Sequence, residues 1–190
     1  MTDTGPPLVA PQKPEHDVAL IDTLLQELEQ EAQTTRRVLE RVPDAHLGWK
    51  PHVKSMTLGQ LAMHIAIVPG GVAEAAAQPS MQRPLFPQPS PSSASELVPM
   101  LEDSIKRARK ALEGLDDGAL AATWRILDGD QEILAMPRVA FLRSIMLNHW
   151  YHHRGQLSVY LRQLNVPVPS IYGPSADENP FAQPAAAAAR

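Results

Sequence analysis

The stretch Asn148-His149-Trp150-Tyr151-His152-His153-Arg154-Gly155-Gln156-Leu157 gathers three of the chain's seven histidines into five residues. At about 100° and ~1.5 Å per helical residue, His149 and His153 point only about 40° apart on successive turns, so two imidazoles can converge on one ion. On the same wheel Leu142, Ile145, Met146, His149, His153, Gln156, Tyr160 and Leu164 form one stripe, with His152 near its edge. The pattern predicts a long amphipathic helix whose buried face carries two histidines. Buried imidazoles need partners at both ring nitrogens. A metal plus a hydrogen-bond acceptor supplies them, and so does a fully hydrogen-bonded pair of core histidines.

This helix should start at Pro137, which suits a first helical position, and stop at Val166-Pro167-Val168-Pro169 near Leu164. Just before it, two β-prone runs, Thr123 to Leu127 and Glu132 to Ala135, flank Asp128-Gly129, the pattern of a short hairpin. Further back, Thr57-Leu58-Gly59-Gln60 has capping-box spacing and predicts the start of another helix, with an apolar stripe of Leu58, Leu61, Ala62, Ile65, Val68 and Val72. His64 follows Gln60 by one turn, beside Leu61 and Ile65, and puts a third histidine on a core-facing surface. Pro69-Gly70-Gly71 predicts a kink or a loosening just beyond it, because proline cannot donate to the carbonyl of Ile65.

Two more amphipathic patterns complete the set. One runs from about Glu15 to Arg41 and ends at Val42-Pro43-Asp44. The other passes through Leu97, Leu101, Ile105, Ala108 and Leu112 to about Leu115, and Pro99 favours a start near Ser95 over a cap at Ser93. Trp49-Lys50-Pro51-His52 reads as a packed connection, with His46 and His52 exposed, and Pro79 to Ser95, with five prolines and five serines, reads as a crossover loop. The fold class expected is all-α: an antiparallel four-helix bundle with one long crossover loop and a short β-hairpin before the last helix. Residues 1–14 form a flexible lead-in, 15–178 the bundle and 179–190 a flexible tail. Within this scheme Tyr172 to Glu178 pack back on the body, whereas Pro184 and the alanine run stay untethered.

The 190 residues, 44% hydrophobic and 20% charged, suit one domain with a proper core. No run reaches the ~18 apolar residues of a membrane span and the amino terminus lacks signal-peptide character, so a cytoplasmic protein without a membrane partner is expected. The absence of cysteine leaves histidine and carboxylate as the metal ligands. A net charge of −4 and a pI near 6.0 speak against a general nucleic-acid-binding role, and Lys106-Arg107-Ala108-Arg109-Lys110 reads as a solvated helix face.

In such a bundle His64 can meet His149 and His153, leaving coordination positions for water or substrate, as catalytic metal sites do. No carboxylate shares the stripe, and neither HExxH nor paired ExxH motifs occur. Gln156 and Tyr160 are candidates for orienting substrate or a bound water. Arg154 falls off the stripe and reads as a surface or interhelix ion pair.

His149 to Gln156, Leu61-Ala62-Met63-His64, Trp49-Lys50-Pro51 and Tyr172-Gly173-Pro174-Ser175-Ala176-Asp177-Glu178 together resemble the DinB/YfiT-like family, which is unrelated to the DNA polymerase of similar name. The resemblance covers roughly residues 15–178. It implies a four-helix bundle, often a homodimer, with a divalent ion such as nickel or zinc held by His64, His149 and His153. Members are described as DNA-damage-induced proteins or metal-dependent hydrolases, and related ones transfer low-molecular-weight thiols or isomerise thiol adducts. The expected function is that of a metal-dependent enzyme acting on a small-molecule substrate. It is a hydrolase if the ion activates water, and an S-transferase if it activates a low-molecular-weight thiol cosubstrate. The alternative is a non-catalytic metal-binding protein of stress response or interaction.

Overall fold

A computed structural model describes residues 19–84 and 88–182 of the chain. Four long helical stretches form the body: α1 (Leu20–Leu39), α2 (Leu58–Ala77), α3 (Leu97–Leu112) and a final rod. Between α3 and the rod lie a short α4 (Asp117–Ala121) and the strands β2 (Thr123–Asp128) and β3 (Gln131–Pro137). The rod comprises α5 (Arg138–Phe141), a π-helical turn (Leu142–Asn148) and α6 (His149–Gln163). Residues 1–18 and 183–190, which include the predicted lead-in, His16 and the alanine run, lie outside the described residues.

Packing follows the apolar stripes. α1 lies against α3 and α6, and α2 lies against the same two, so the sequential pair α1 and α2 sit diagonally. Cross-links give the directions. Arg36 with Glu102 and Arg109 with Glu29 make α1 and α3 antiparallel. Ile65 with Trp150, and Met56 with Tyr160, make α2 and α6 antiparallel. Two helices therefore run each way. The predicted crossover after α2 returns the chain to the end where α3 can start parallel to it. Leu24, Leu28, Leu58, Leu61, Ile65, Leu97, Leu112, Leu157 and Leu161 are among the fully buried residues of the shared core. Among the described residues no helix is long and apolar enough to cross a membrane.

The hairpin forms where Asp128-Gly129 predicts it, with Gly129 at φ +61°, a conformation costly for any residue with a Cβ. It is joined by a strand that the sequence reading placed in loop: β1 (Ser80–Gln82) pairs parallel to β2, aligning Ser80 with Arg125 and Gln82 with Leu127. Pro79 and Pro84 flank these three residues without interrupting them, so a proline-rich stretch still holds a strand. Ser93, not Ser95, starts the next helical run. Its side chain and that of Glu96 form a capping box over a 3₁₀ turn, and α3 follows with Pro99 in its first turn. The final rod ends on Asn165 at φ +58°, where Val166 N–H donates to the Leu161 carbonyl and Asn165 N–H to that of Arg162, closing the helix before the prolines.

At Pro69 the helix loosens without ending: α2 runs through it to Ala77. Proline leaves the Ile65 carbonyl without its helical donor, and the indole Nε1–H of Trp150 on α6 donates to that oxygen at 2.8 Å instead. The next residue, Gly70, lets α3 come close, since a Cβ there would lie 2.8 Å from the Ser104 carbonyl oxygen. Its N–H donates to Ser104 Oγ at 2.8 Å. Pro69 and Gly70 thus mark two helix contacts on α2.

Candidate metal centre

The capping box at the start of α2 forms as read: Gln60 N–H donates to Thr57 Oγ1 at 3.1 Å and Thr57 N–H to Gln60 Oε1 at 2.9 Å. Starting the helix there sets its phase. Leu61 and Ile65 point into the core, and His64 lies half-buried on the flank facing α6.

On the last rod the buried stripe is turned from the one expected. Leu142, Met146, Leu147, Trp150, Arg154, Leu157 and Leu161 face the core, while Ile145 and Gln156 are exposed and His149 and His153 are half-buried at the seam with α2. Two features cause the offset. The π-helical turn passes the His149 N–H to the carbonyl of Ser144, five residues back, and so breaks the 100° phase across Leu142–Asn148. Within α6, Trp150 and Arg154 take inward positions because α2 and α1 offer their polar atoms partners.

At the seam the three histidines converge. One potential ligand atom from each of His64, His149 and His153 lies within 4.8 Å of the others. The ring of His64 stands edge-on to both neighbours, 5.2 Å from His149 and 4.7 Å from His153 between centroids. His149 Nε2 and His153 Nε2 face each other at 2.9 Å, and His153 Nδ1 meets Gln156 Oε1 at 2.7 Å. Two buried ring nitrogens, His64 Nε2 and His149 Nδ1, have no hydrogen-bond partner in the protein. His152, exposed beside His153, is not part of the group, and among the described residues neither a carboxylate nor a fourth histidine joins it.

Burial and mutual repulsion keep the rings neutral. His64 is lowered to about 4, by desolvation first and then by His153 and His149. His149 is lowered by burial and by His153 and His152, against a smaller pull from the Ile145 carbonyl. His153 is lowered by burial, with Gln156 opposing. Near pH 7 each therefore presents an uncharged nitrogen donor, the form a cation needs.

Gln156 turns back to His153, three residues earlier on α6. Tyr160, half-buried, sets its hydroxyl toward the Met56 carbonyl at 3.4 Å and its ring against Trp49, with centroids 5.5 Å apart. The Trp49 connection is therefore packed, on the side of α6 that carries the histidines, while His46 and His52 are exposed as read.

Arg154 is the residue sequence reasoning most undervalued. It does make an interhelix ion pair, yet it is 1% exposed. It pairs with Glu31 at 2.5 Å and donates to Thr35 Oγ1 at 3.0 Å, to the Glu31 carbonyl at 3.2 Å and to the Tyr172 hydroxyl at 2.6 Å. Its guanidinium lies over the rings of Tyr151 and Tyr172. The tail packs back as expected, anchored by Tyr172, by Asp177 on Arg162 and by Glu178 on Arg37. The basic run on α3 is not a bare face. Arg107 pairs with Asp103 and Glu74, and Arg109 with Glu29 and Glu113.

Comparison with known proteins agrees with this architecture. The chain is 30% identical over 162 residues to the uncharacterized protein YrdA of Bacillus subtilis, covering 83% of this chain and 91% of YrdA. A crystal structure of a DinB-like protein from Bacillus cereus superposes with a TM-score of 0.63 at 25% identity, over 80% of this chain and 97% of that one. YfiT from Bacillus subtilis, described as "a probable metal-dependent hydrolase with an unusual four-helix bundle topology", shares the fold with a TM-score of 0.57 at 15% identity, over 81% and 94% of the two chains. The DinB family model matches residues 14–184, nearly the whole chain, and the protein belongs to the DinB family.

Proposed function

We propose that the protein is a divalent-metal-dependent enzyme in which His64, His149 and His153 hold one ion, zinc or nickel, beside a position left for a small-molecule substrate. The observation that carries this reading is the buried, unpartnered Nε2 of His64 in a group of three imidazoles whose donor atoms lie within 4.8 Å of one another. Leaving such a nitrogen unsatisfied costs about 1–3 kcal/mol, which a cation would offset. Three neutral nitrogen donors suit zinc or nickel, whereas calcium and magnesium take oxygen ligands. Three ligands without a fourth among the described residues match open, catalytic coordination better than a closed structural site.

A divalent ion supplies Lewis acidity, lowering the pKa of water or a thiol so that a nucleophile is available near neutral pH. The chain's own residues prepare the place for it. Burial keeps the imidazoles neutral, and the Trp150–Ile65 hydrogen bond holds α6 and α2 at the spacing that lets their rings meet. Trp49 and Tyr160 form an aromatic wall further along α6 from His153 and Gln156, suited to the apolar part of a substrate. Hydrolysis is the reaction this arrangement supports first, in keeping with the description of YfiT. Transfer of a low-molecular-weight thiol is the second reading. With no cysteine in the chain, the sulfur nucleophile of that reaction would come from the cosubstrate.

Metal analysis of untagged protein and of His64→Ala tests the site. One zinc or nickel ion per wild-type chain and a marked loss in the variant are expected. Unchanged stoichiometry and affinity in His64→Ala would overturn the three-ligand site. Fully loaded protein assayed with esters, amides, and an electrophile plus cellular thiols then separates the two reactions. Turnover of none of them would assign the ion a non-catalytic role.

A further inference from the structure

His153 is the one histidine of the three with both ring nitrogens engaged. Its Nδ1 lies 2.7 Å from Gln156 Oε1 and its Nε2 lies 2.9 Å from His149 Nε2. A neutral imidazole has one N–H and one lone pair. An amide oxygen can only accept, so the proton of the Gln156 contact belongs to His153 Nδ1, and Nε2 is left with its lone pair. That lone pair faces His149 Nε2 within the cluster. Turning the Gln156 amide over would reverse the tautomer and aim an N–H of His153 there instead.

We infer that Gln156 is a positioning residue: it fixes the tautomer of His153 with the proton on Nδ1 and the Nε2 lone pair directed at the three-histidine cluster. Its consequence for metal affinity rests on the reading of that cluster as a metal site, whereas the tautomer itself does not. The sequence places the amide well, since residue 156 lies three positions after His153 on α6, on the neighbouring turn. Gln156 is exposed and buries little of itself, so replacing it disturbs packing only slightly. Partners of this kind, which hold the far nitrogen of a ligand histidine, typically change metal affinity by roughly 10–100-fold when removed.

The experiment compares wild type, Gln156→Leu and Gln156→Glu, as full-length chains stripped of metal and titrated with Zn²⁺ against a chromophoric chelator. The ¹⁵N shifts of His153 are read in the same metal-stripped samples. Leucine removes the acceptor and should weaken zinc binding by ~10–100-fold, with loss of the single Nδ1–H tautomer. Glutamate is an acceptor only, so it should keep that tautomer and bind zinc at least as tightly as wild type. Zinc affinity in Gln156→Leu equal to wild type, or wild-type His153 protonated on Nε2, overturns the inference. Failure of the metal reading has a different signature: His64→Ala binds zinc as wild type does, while the His153 shifts still report on Gln156.

Discussion

Helix α6 has two seams, and they differ in how completely their polar atoms are satisfied. Toward α1, Arg154 is sealed among Glu31, Thr35 and Tyr172, its terminal nitrogens making four contacts and only its Nε left without a partner, with two aromatic rings over its guanidinium. Toward α2, the histidines are half-buried and two of their nitrogens lack any protein partner. Native interiors rarely leave such atoms idle, because each costs about 1–3 kcal/mol. One side of the helix thus carries a filled ion pair and the other the three histidines proposed to hold an ion, and they should respond differently to mutation.

The largest effect is expected on the sealed side. Arg154→Met removes one partner of a buried pair and should cost about 3 kcal/mol of unfolding free energy in urea titrations. This is the lower end of the usual range, because Glu31 retains 14% exposure and keeps some hydration. Zinc stoichiometry per folded chain should not change. The double variant Glu31→Leu with Arg154→Met should recover most of the loss, and an equally unstable double variant would show that the cost lies in packing. A smaller effect, about 1–3 kcal/mol, is expected for Trp150→Phe, which leaves the Ile65 carbonyl without a donor. Because this bond joins the two helices that carry the histidines, zinc affinity should fall as well. A stability loss with unchanged affinity would separate the strut from the site. Least of all should Arg125→Ala matter. Its partner Glu132 sits on the hairpin, both side chains are about half exposed, and thermal or urea unfolding should move by less than about 0.5 kcal/mol.

Much of this contrast is visible in the residues themselves. The capping box fixes the phase of α2, and HxxxH spacing aligns two rings on α6, so the meeting of His64, His149 and His153 follows from local rules plus an antiparallel neighbour. The hairpin is announced by Asp128-Gly129. Less legible is which face of α6 points inward. A wheel of constant pitch cannot include the π-helical turn, and an apolar scale ranks Arg154 as surface although Glu31 and Thr35, one turn apart on α1, stand ready to receive it. Pro69 illustrates the same limit. Its effect on its own helix was foreseeable, but the indole that satisfies the freed carbonyl lies 85 residues away. Strand β1 was hidden because its pairing partner, not its own three residues, makes it a strand.

The carbonyl of Ile65 also bears on how the molecule breathes. Until the last rod docks, only water can satisfy that oxygen, so the middle of α2 should stay hydrated and fray in any partly opened form. Amide exchange in α2 around Pro69 would then report the undocking of a segment nearly half the chain away. The two halves of the protein would protect and lose protection together, as one cooperative unit.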